Sequence, residues 1–209
     1  MEEVNYMLLD ASTFETSDIN YEREFVNLMD NIYKCYELII RDGIVIPKND
    51  ENGIRDILLL DYISKKEIRH DICSIKGFRF DKEVDVGNGR VDIKIITDKD
   101  FEEYEEFYVI ECKRLDGHAK LNNAYVDDGI KRFTTSYKSS SSYKSSSVRF
   151  YYPSSYGVNG MIGFVIDKID IDSNMRKIKE EFTLIKKNIM YESKHSNVKI
   201  FHLMMDFSK

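Results

Sequence analysis

Three ionisable residues stand where ordinary packing has no use for them. Asp92 interrupts the run Gly-Arg-Val-Asp-Ile-Lys-Ile-Ile at residues 89–96, and Glu111 and Lys113 interrupt Phe-Tyr-Val-Ile-Glu-Cys-Lys-Arg-Leu at residues 107–115. Both runs are otherwise apolar and β-branched, the composition of strands. A carboxylate on a buried strand is costly unless it is paired or holds a metal. Alternate residues of a strand share a face. Glu111 and Lys113 therefore point the same way, with Val109, while Ile110 and Cys112 turn into packing. On the preceding strand Asp92 and Lys94 share one face, and Val91, Ile93 and Ile95 the other. If the strands pair with Asp92 opposite Glu111, the two carboxylates converge. A hard divalent cation such as Mg²⁺, for which Mn²⁺ could substitute, takes one or two carboxylates, a carbonyl oxygen and several waters. Asp92, Glu111 and the backbone carbonyl of Cys112 could supply the protein's share. Lys113 beside them could position or help deprotonate an attacking water, or counter charge on a phosphate. This is chemistry suited to cutting a phosphodiester.

The elements that would hold these residues can be read from periodicity. Residues 21–41 carry apolar side chains at Phe25, Leu28, Met29, Ile32, Tyr33, Tyr36 and Ile40, which is helical spacing. Asp42 and Gly43 stop that helix. A second helix is expected from the capping residues Asn49 and Asp50, with Ile54, Ile57, Leu58, Tyr62 and Ile63 as its buried stripe. Residues 77–84, 90–96 and 106–113 read as three strands, the last two joined by an acidic, solvated connection with Glu102, Glu103, Glu105 and Glu106. Helix is expected over 121–137, a strand over 160–166, helix again over 173–191 with Met175, Ile178, Phe182, Ile185 and Ile189 on one side, and a last strand over 198–204. Helices and strands in this order predict an α/β fold, a mixed central sheet flanked by helices. No domain boundary is visible, so residues 1–209 read as one domain. Within it, residues 138–147 are a flexible Ser-rich loop by composition.

Composition narrows the classes of function. The chain has 209 residues and 42% hydrophobic content, enough for a substantial core. No apolar run approaches the roughly 20 residues of a membrane span, and the start lacks the basic-then-apolar order of a signal peptide. Three scattered cysteines, Cys35, Cys73 and Cys112, suit a reducing cytoplasm and form no zinc motif. His70, His118, His195 and His202 are isolated and read as surface or packing residues. The net charge of −6 argues against coating nucleic acid by bulk charge. Charge is nonetheless segregated. Between Gly129 and Ile166 there is no Asp or Glu, while Lys131, Arg132, Lys138, Lys144 and Arg149 interleave with Tyr137, Tyr143, Tyr151, Tyr152 and Tyr156. Cations that pair with phosphate and tyrosines that stack on bases use this composition, and so do linkers. Lys131, Arg132, Lys138 and Lys144 are the candidate nucleic-acid contacts.

Val91-Asp92 followed by Glu111-Cys112-Lys113 resembles the signature of the PD-(D/E)XK nuclease superfamily, whose restriction endonuclease-like core runs αβββαβ. The order of elements from about residue 20 to residue 167 resembles that core. Val91 stands where the signature's name has proline, as in many members. The resemblance implies a Mg²⁺-dependent nuclease, with Asp92 and Glu111 on the metal and Lys113 assisting the water. It implies an additional acid on the first core helix, for which Glu51 is the candidate and Glu83, on the strand before Asp92, the rival. It also implies phosphate contacts on the helix that follows, at Lys131 and Arg132. A DNA endonuclease of genome or anti-phage defence is the expected setting, and nucleic acid, with a protein partner or a second copy, the expected company. Two other readings use the same residues. One is a catalytically inactive nuclease fold that binds nucleic acid or protein; the other is a repair or junction nuclease. In a purely structural reading, Glu111 and Lys113 end an edge strand and pair with Asp92 at the surface.

Overall fold

The computed structural model describes residues 12–86, 89–97, 107–138, 148–150, 157–177, 182–186, 190–195 and 198–209, with the backbone alone for 12–20, 136–138, 148–150, 177 and 182–186. Helix α1 (Ser12–Arg41) buries the stripe Phe25, Leu28, Met29, Ile32, Tyr36 and Ile39. It ends at Gly43, whose φ of +66° is open to glycine at no steric cost. Helix α2 (Glu51–Asp56) begins after Asp50, as the capping residues suggest, although the Asp50 side chain makes no capping bond. It widens into π-helical turns over Ile57–Ile63, followed by another such turn over Ile68–Ile72. Ile54, Leu58, Tyr62 and Ile63 of the expected stripe are buried.

The strands are β1 (Phe78–Val86), β2 (Gly89–Thr97), β3 (Phe107–Leu115), β4 (Ser136–Lys138), β5 (Val148–Phe150), β6 (Val158–Val165), β7 (Phe182–Lys186), β8 (Met190–His195) and β9 (Val198–Asp206). Seven of them form one mixed sheet in the order β1-β2-β3-β6-β9-β8-β7, and β4 and β5 form a separate ribbon. β3, β6 and β9 run parallel at the centre, and the pairs outside them are antiparallel. A parallel β3–β6 pair requires a crossover. It is made by α3 (Ala119–Tyr125), a π-helical turn (Val126–Ile130), α4 (Lys131–Thr134) and the β4–β5 ribbon.

One face of the sheet, with Ile93, Ile95, Tyr108, Ile110, Cys112 and Ile162, packs on α1 and α2. Helix α1 comes very close at Gly160, where an added Cβ would lie 2.8 Å from Ile110 and 2.9 Å from Phe25. The other face, with Val109, Met161, Val165 and Met204, packs on Tyr125, Ile130, Phe133 and Met175, the last from α5 (Ile171–Lys177). Val91, expected beside Ile93, joins this second cluster with Val86, because β2 has by then parted from β3. Within the second face the buried His202 spans two hydroxyls, Tyr125 at 2.8 Å from Nδ1 and Ser193 at 2.7 Å from Nε2. Among the four histidines it is thus a core residue. Cys35 and Cys73 are buried free thiols with sulfurs 3.2 Å apart.

The helix expected over 173–191 is corrected. It stops at Lys177, and residues 182–186 and 190–195 are strands. β8 runs against β9 from Met190 opposite Leu203 to His195 opposite Val198. That ladder satisfies the free edge of the central β9 strand, a long-range demand that outweighs the local helical spacing. The helix expected to reach 137 ends at Thr134, and Lys138 closes β4. The acidic connection, Lys144, and Tyr143, Tyr151, Tyr152 and Tyr156 lie outside the described residues. Among the described residues no helix is long and apolar enough to cross a membrane.

Candidate active site at a strand fork

The β2–β3 ladder runs from Ile96 opposite Phe107 to Ile93 opposite Ile110. One step further in the same register sets Asp92 opposite Glu111, and there the ladder stops. The Asp92 carboxylate takes the place of a ladder carbonyl: its Oδ2 accepts the Cys112 N–H at 2.8 Å. The strands part, and the Cys112 carbonyl is turned to the same notch, where it accepts a bond from Lys113 Nζ at 2.8 Å. β3 itself stays in register with β6 as far as Leu115, which keeps Glu111 and Lys113 fixed.

Lys113 Nζ sits among oxygens. Glu111 Oε1 lies 2.9 Å away, Glu51 Oε1 3.3 Å and Asp92 Oδ2 3.9 Å, in addition to the Cys112 carbonyl. All four positions expected to hold or assist a cation therefore surround one nitrogen. Glu51 comes from the first turn of α2 and is fixed by a second bond, its Oε2 accepting the Arg114 N–H at 2.9 Å. On the far side Gly129 lets the helix after β3 settle over the lysine stem, an added Cβ falling 3.5 Å from Lys113 Cγ and 2.5 Å from Met161 Cε.

Burial sets the electrostatics. Glu111 is 1% exposed, and desolvation, with Asp92 adding repulsion, pushes its carboxyl up to about 7 against the pull of Lys113 and Arg132. For Lys113 burial works against the charge, but Glu111, Glu51 and Asp92 outweigh it and raise the ammonium above its ordinary value. The Lys113 ammonium is thereby held as a cation among these oxygens. Burial raises the Cys112 thiol far above its usual range, so this residue offers its carbonyl and not its sulfur.

Arg132, expected on phosphate, reaches inward and places Nη1 3.0 Å from Glu111 Oε1. Lys131 is paired with Asp127 one helical turn back. Asp127, Lys131, Arg132 and Thr135 line an open groove of about 320 Å³, so Arg132 belongs to both the groove and the notch. Glu83, the rival acid, does not reach Lys113; it pairs with Arg55 at 3.2 Å and Arg90 at 2.8 Å.

Sequence reasoning missed Arg55. This arginine, 2% exposed, binds Asp92 Oδ1 through Nη1 at 3.2 Å, Glu83 Oε1 through Nη2 at 3.2 Å and Asp56 Oδ1 through Nη2 at 3.0 Å. Glu51 and Arg55 stand one helical turn apart, but no local signal marks Arg55 as the partner of Asp92.

No protein-family model, no curated protein and no solved structure matches this chain. Among the described residues no three His, Cys, Asp or Glu side chains form a group that could hold a metal unaided. Any cation here would depend on two carboxylates, a carbonyl and water. One atom favours that arrangement: Glu111 Oε2 is buried and has no hydrogen-bond donor. A buried carboxylate oxygen without a partner is expensive, and a hard cation is a ligand that would relieve it.

Proposed function

We propose that this protein is a divalent-metal-dependent nuclease of the PD-(D/E)XK type, with a restriction endonuclease-like core formed by α1, α2, β1–β3, the crossover and β6. The observation that carries the reading is the convergence of Asp92, Glu111, Glu51 and the Cys112 carbonyl around one cationic nitrogen, beside a buried carboxylate oxygen that lacks a partner. Asp92, Glu111 and the Cys112 carbonyl would hold Mg²⁺ or Mn²⁺, which supplies Lewis-acid activation of a water and of the phosphate. Lys113, held as a cation, would counter charge as it builds on the phosphate. Glu51 would orient the lysine and the water. Arg132, at the border of groove and notch, would exchange part of its hold on Glu111 for a phosphate oxygen, and Lys131 would steer the backbone into the groove. DNA is the favoured substrate and genome defence the favoured setting, both by analogy with the superfamily.

The test is incubation of supercoiled plasmid, linear duplex, single-stranded DNA and RNA with the protein in Mg²⁺, Mn²⁺ or EDTA, beside Asp92→Ala, Glu111→Ala and Lys113→Ala. Metal-dependent cleavage lost in all three variants supports the reading; full activity in Glu111→Ala refutes it. A second reading, a nuclease fold that only binds, draws on the pairing of Asp92, Glu51 and Glu111 Oε1 with the protein's own cations. Nucleic-acid binding with no cleavage under any metal would favour it.

A further inference from the structure

We infer that Arg55 is the positioning residue for the metal-binding carboxylate of Asp92, and that Glu83 is the anchor that aims Arg55. The inference rests on the metal-site reading above and adds two residues to it.

Asp92 is held at both oxygens. Oδ2 is fixed by the Cys112 N–H and Oδ1 by Arg55 Nη1. With both bonds in place the carboxylate plane is set, and its Oδ2 lies 3.9 Å from Lys113 Nζ in the notch. The guanidinium is itself held. Its planar fork bonds Asp56 through Nε at 3.2 Å and Nη2 at 3.0 Å, and Glu83 through Nη2 at 3.2 Å. Only an arginine has the geometry to serve three acids from one rigid plane. Asp56 is tied down in turn by Lys82 at 2.6 Å.

Glu83 shows that the local backbone is bent to this arrangement. It lies mid-strand in β1, with a φ of +53° that side-chain-bearing residues seldom adopt. The ladder is regular on both sides, Lys82 opposite Ile93 and Val84 opposite Val91, which sets Glu83 across from Asp92. Arg90 clasps Glu83 twice, Nη2 on Oε2 at 2.8 Å and Nε on its backbone carbonyl at 3.1 Å. The strained residue thus faces the acid it helps to orient, at one remove, through Arg55. The groups around Arg55 form a chain from Arg90 through Glu83 and Arg55 to Asp92, ending at the notch.

Charge and orientation predict opposite effects on metal binding. Arg55 is a cation close to the metal position, so charge alone predicts tighter binding when it is removed. Orientation predicts weaker binding, because a freed Asp92 must be ordered by the metal itself. Partners that orient a metal ligand contribute a factor of roughly 10–100 in affinity, and the structure favours orientation.

The experiment measures Mn²⁺ binding by electron paramagnetic resonance in wild type, Arg55→Gln, Arg55→Lys and Glu83→Gln, with thermal unfolding of each in EDTA as the folding control. We expect Mn²⁺ binding about 10-fold or more weaker in Arg55→Gln. Arg55→Lys, which keeps the charge and loses the fork, should fail to restore it. Glu83→Gln, an isosteric change at a half-buried position, should show a smaller loss with a near-native fold. Arg55→Gln or Arg55→Lys binding Mn²⁺ as well as wild type, or more tightly, overturns the inference. If Arg55→Gln does not fold, Glu83→Gln decides, and unchanged binding there overturns it. Absence of Mn²⁺ binding in the wild type would instead refute the metal-site reading, which separates the two failures.

Discussion

The buried imidazole of His202 should make this protein acid-sensitive by a calculable amount. Its ring nitrogens bond the hydroxyls of Tyr125 and Ser193, and burial, with a smaller push from His195, lowers its value from 6.5 to about 3. The native state therefore keeps His202 neutral through the mildly acidic range. The unfolded chain takes up a proton there as an ordinary histidine does. Stability rises with pH wherever the unfolded state binds more protons, so it must fall as the pH drops through 6.5 towards 3. Between pH 7 and pH 5 one such group costs about 2 kcal/mol, at about 1.4 kcal/mol for each pH unit below the unfolded value. For a chain of this size that is a drop of roughly 4–8 °C in Tm. His202→Gln keeps a donor and an acceptor for Tyr125 and Ser193 but has nothing to titrate. Urea unfolding of both proteins at pH 5, 6 and 7 isolates the effect, since every other group cancels in the difference. Wild type should lose about 2 kcal/mol relative to the variant between pH 7 and pH 5. Parallel pH curves would refute the reasoning and mean that His202 takes its proton without leaving the fold.

Lys113→Met should bind Mn²⁺ more tightly, on the order of tenfold, because the ammonium now bonded to Glu111, Glu51 and the Cys112 carbonyl would no longer compete. It should lose cleavage all the same, and weaker Mn²⁺ binding by isothermal titration would contradict this. Lys131→Glu should flatten the log-log salt dependence of duplex DNA binding, measured in Ca²⁺, by roughly one unit, with no change of sequence preference; an unchanged slope places DNA away from the groove. Gly160→Ala should destabilise by about 1–3 kcal/mol in denaturant unfolding, since the new methyl meets Ile110 and Phe25 in a packed core. A neutral result would show that α1 can back away from the sheet.

The strands that carry Asp92, Glu111 and Lys113 were legible because a period of two, a β-branched run and a misplaced charge are local signals. The face assignment of Glu111 and Lys113 follows from the same period, and the β2–β3 ladder, extended one step past its last pair at Ile93 and Ile110, would set Asp92 opposite Glu111. Glu51 was reached by resemblance and lies on the notch. What escaped depends on residues far apart in the chain. Arg55 reads as a helix-surface cation until Asp92 and Glu83 arrive from 37 and 28 positions away. Residues 182–195 have apolar spacing compatible with helix or strand, and the edge of β9 decides between them. The bond from Arg132 to Glu111 escaped as well, because sequence shows a basic helix but not the buried acid beneath it. His202 looked isolated because its partners, Tyr125 and Ser193, carry no motif.

The fork has a consequence for the timing of folding. Its bonds join residues up to 63 positions apart, from Glu51 on α2 to Arg114 on β3, and draw in Glu83, Asp92 and Arg132 besides. Closing such long loops is slow, and their entropy must be lost before the contacts reward it. On the ribosome, a nascent chain that ends before residue 132 carries Asp92, Glu111 and Lys113 but lacks the arginine that partners Glu111. No fragment that stops short of Arg132 holds the assembled notch, so any activity of the chain begins only after β3 and the helix that follows it have closed on α2.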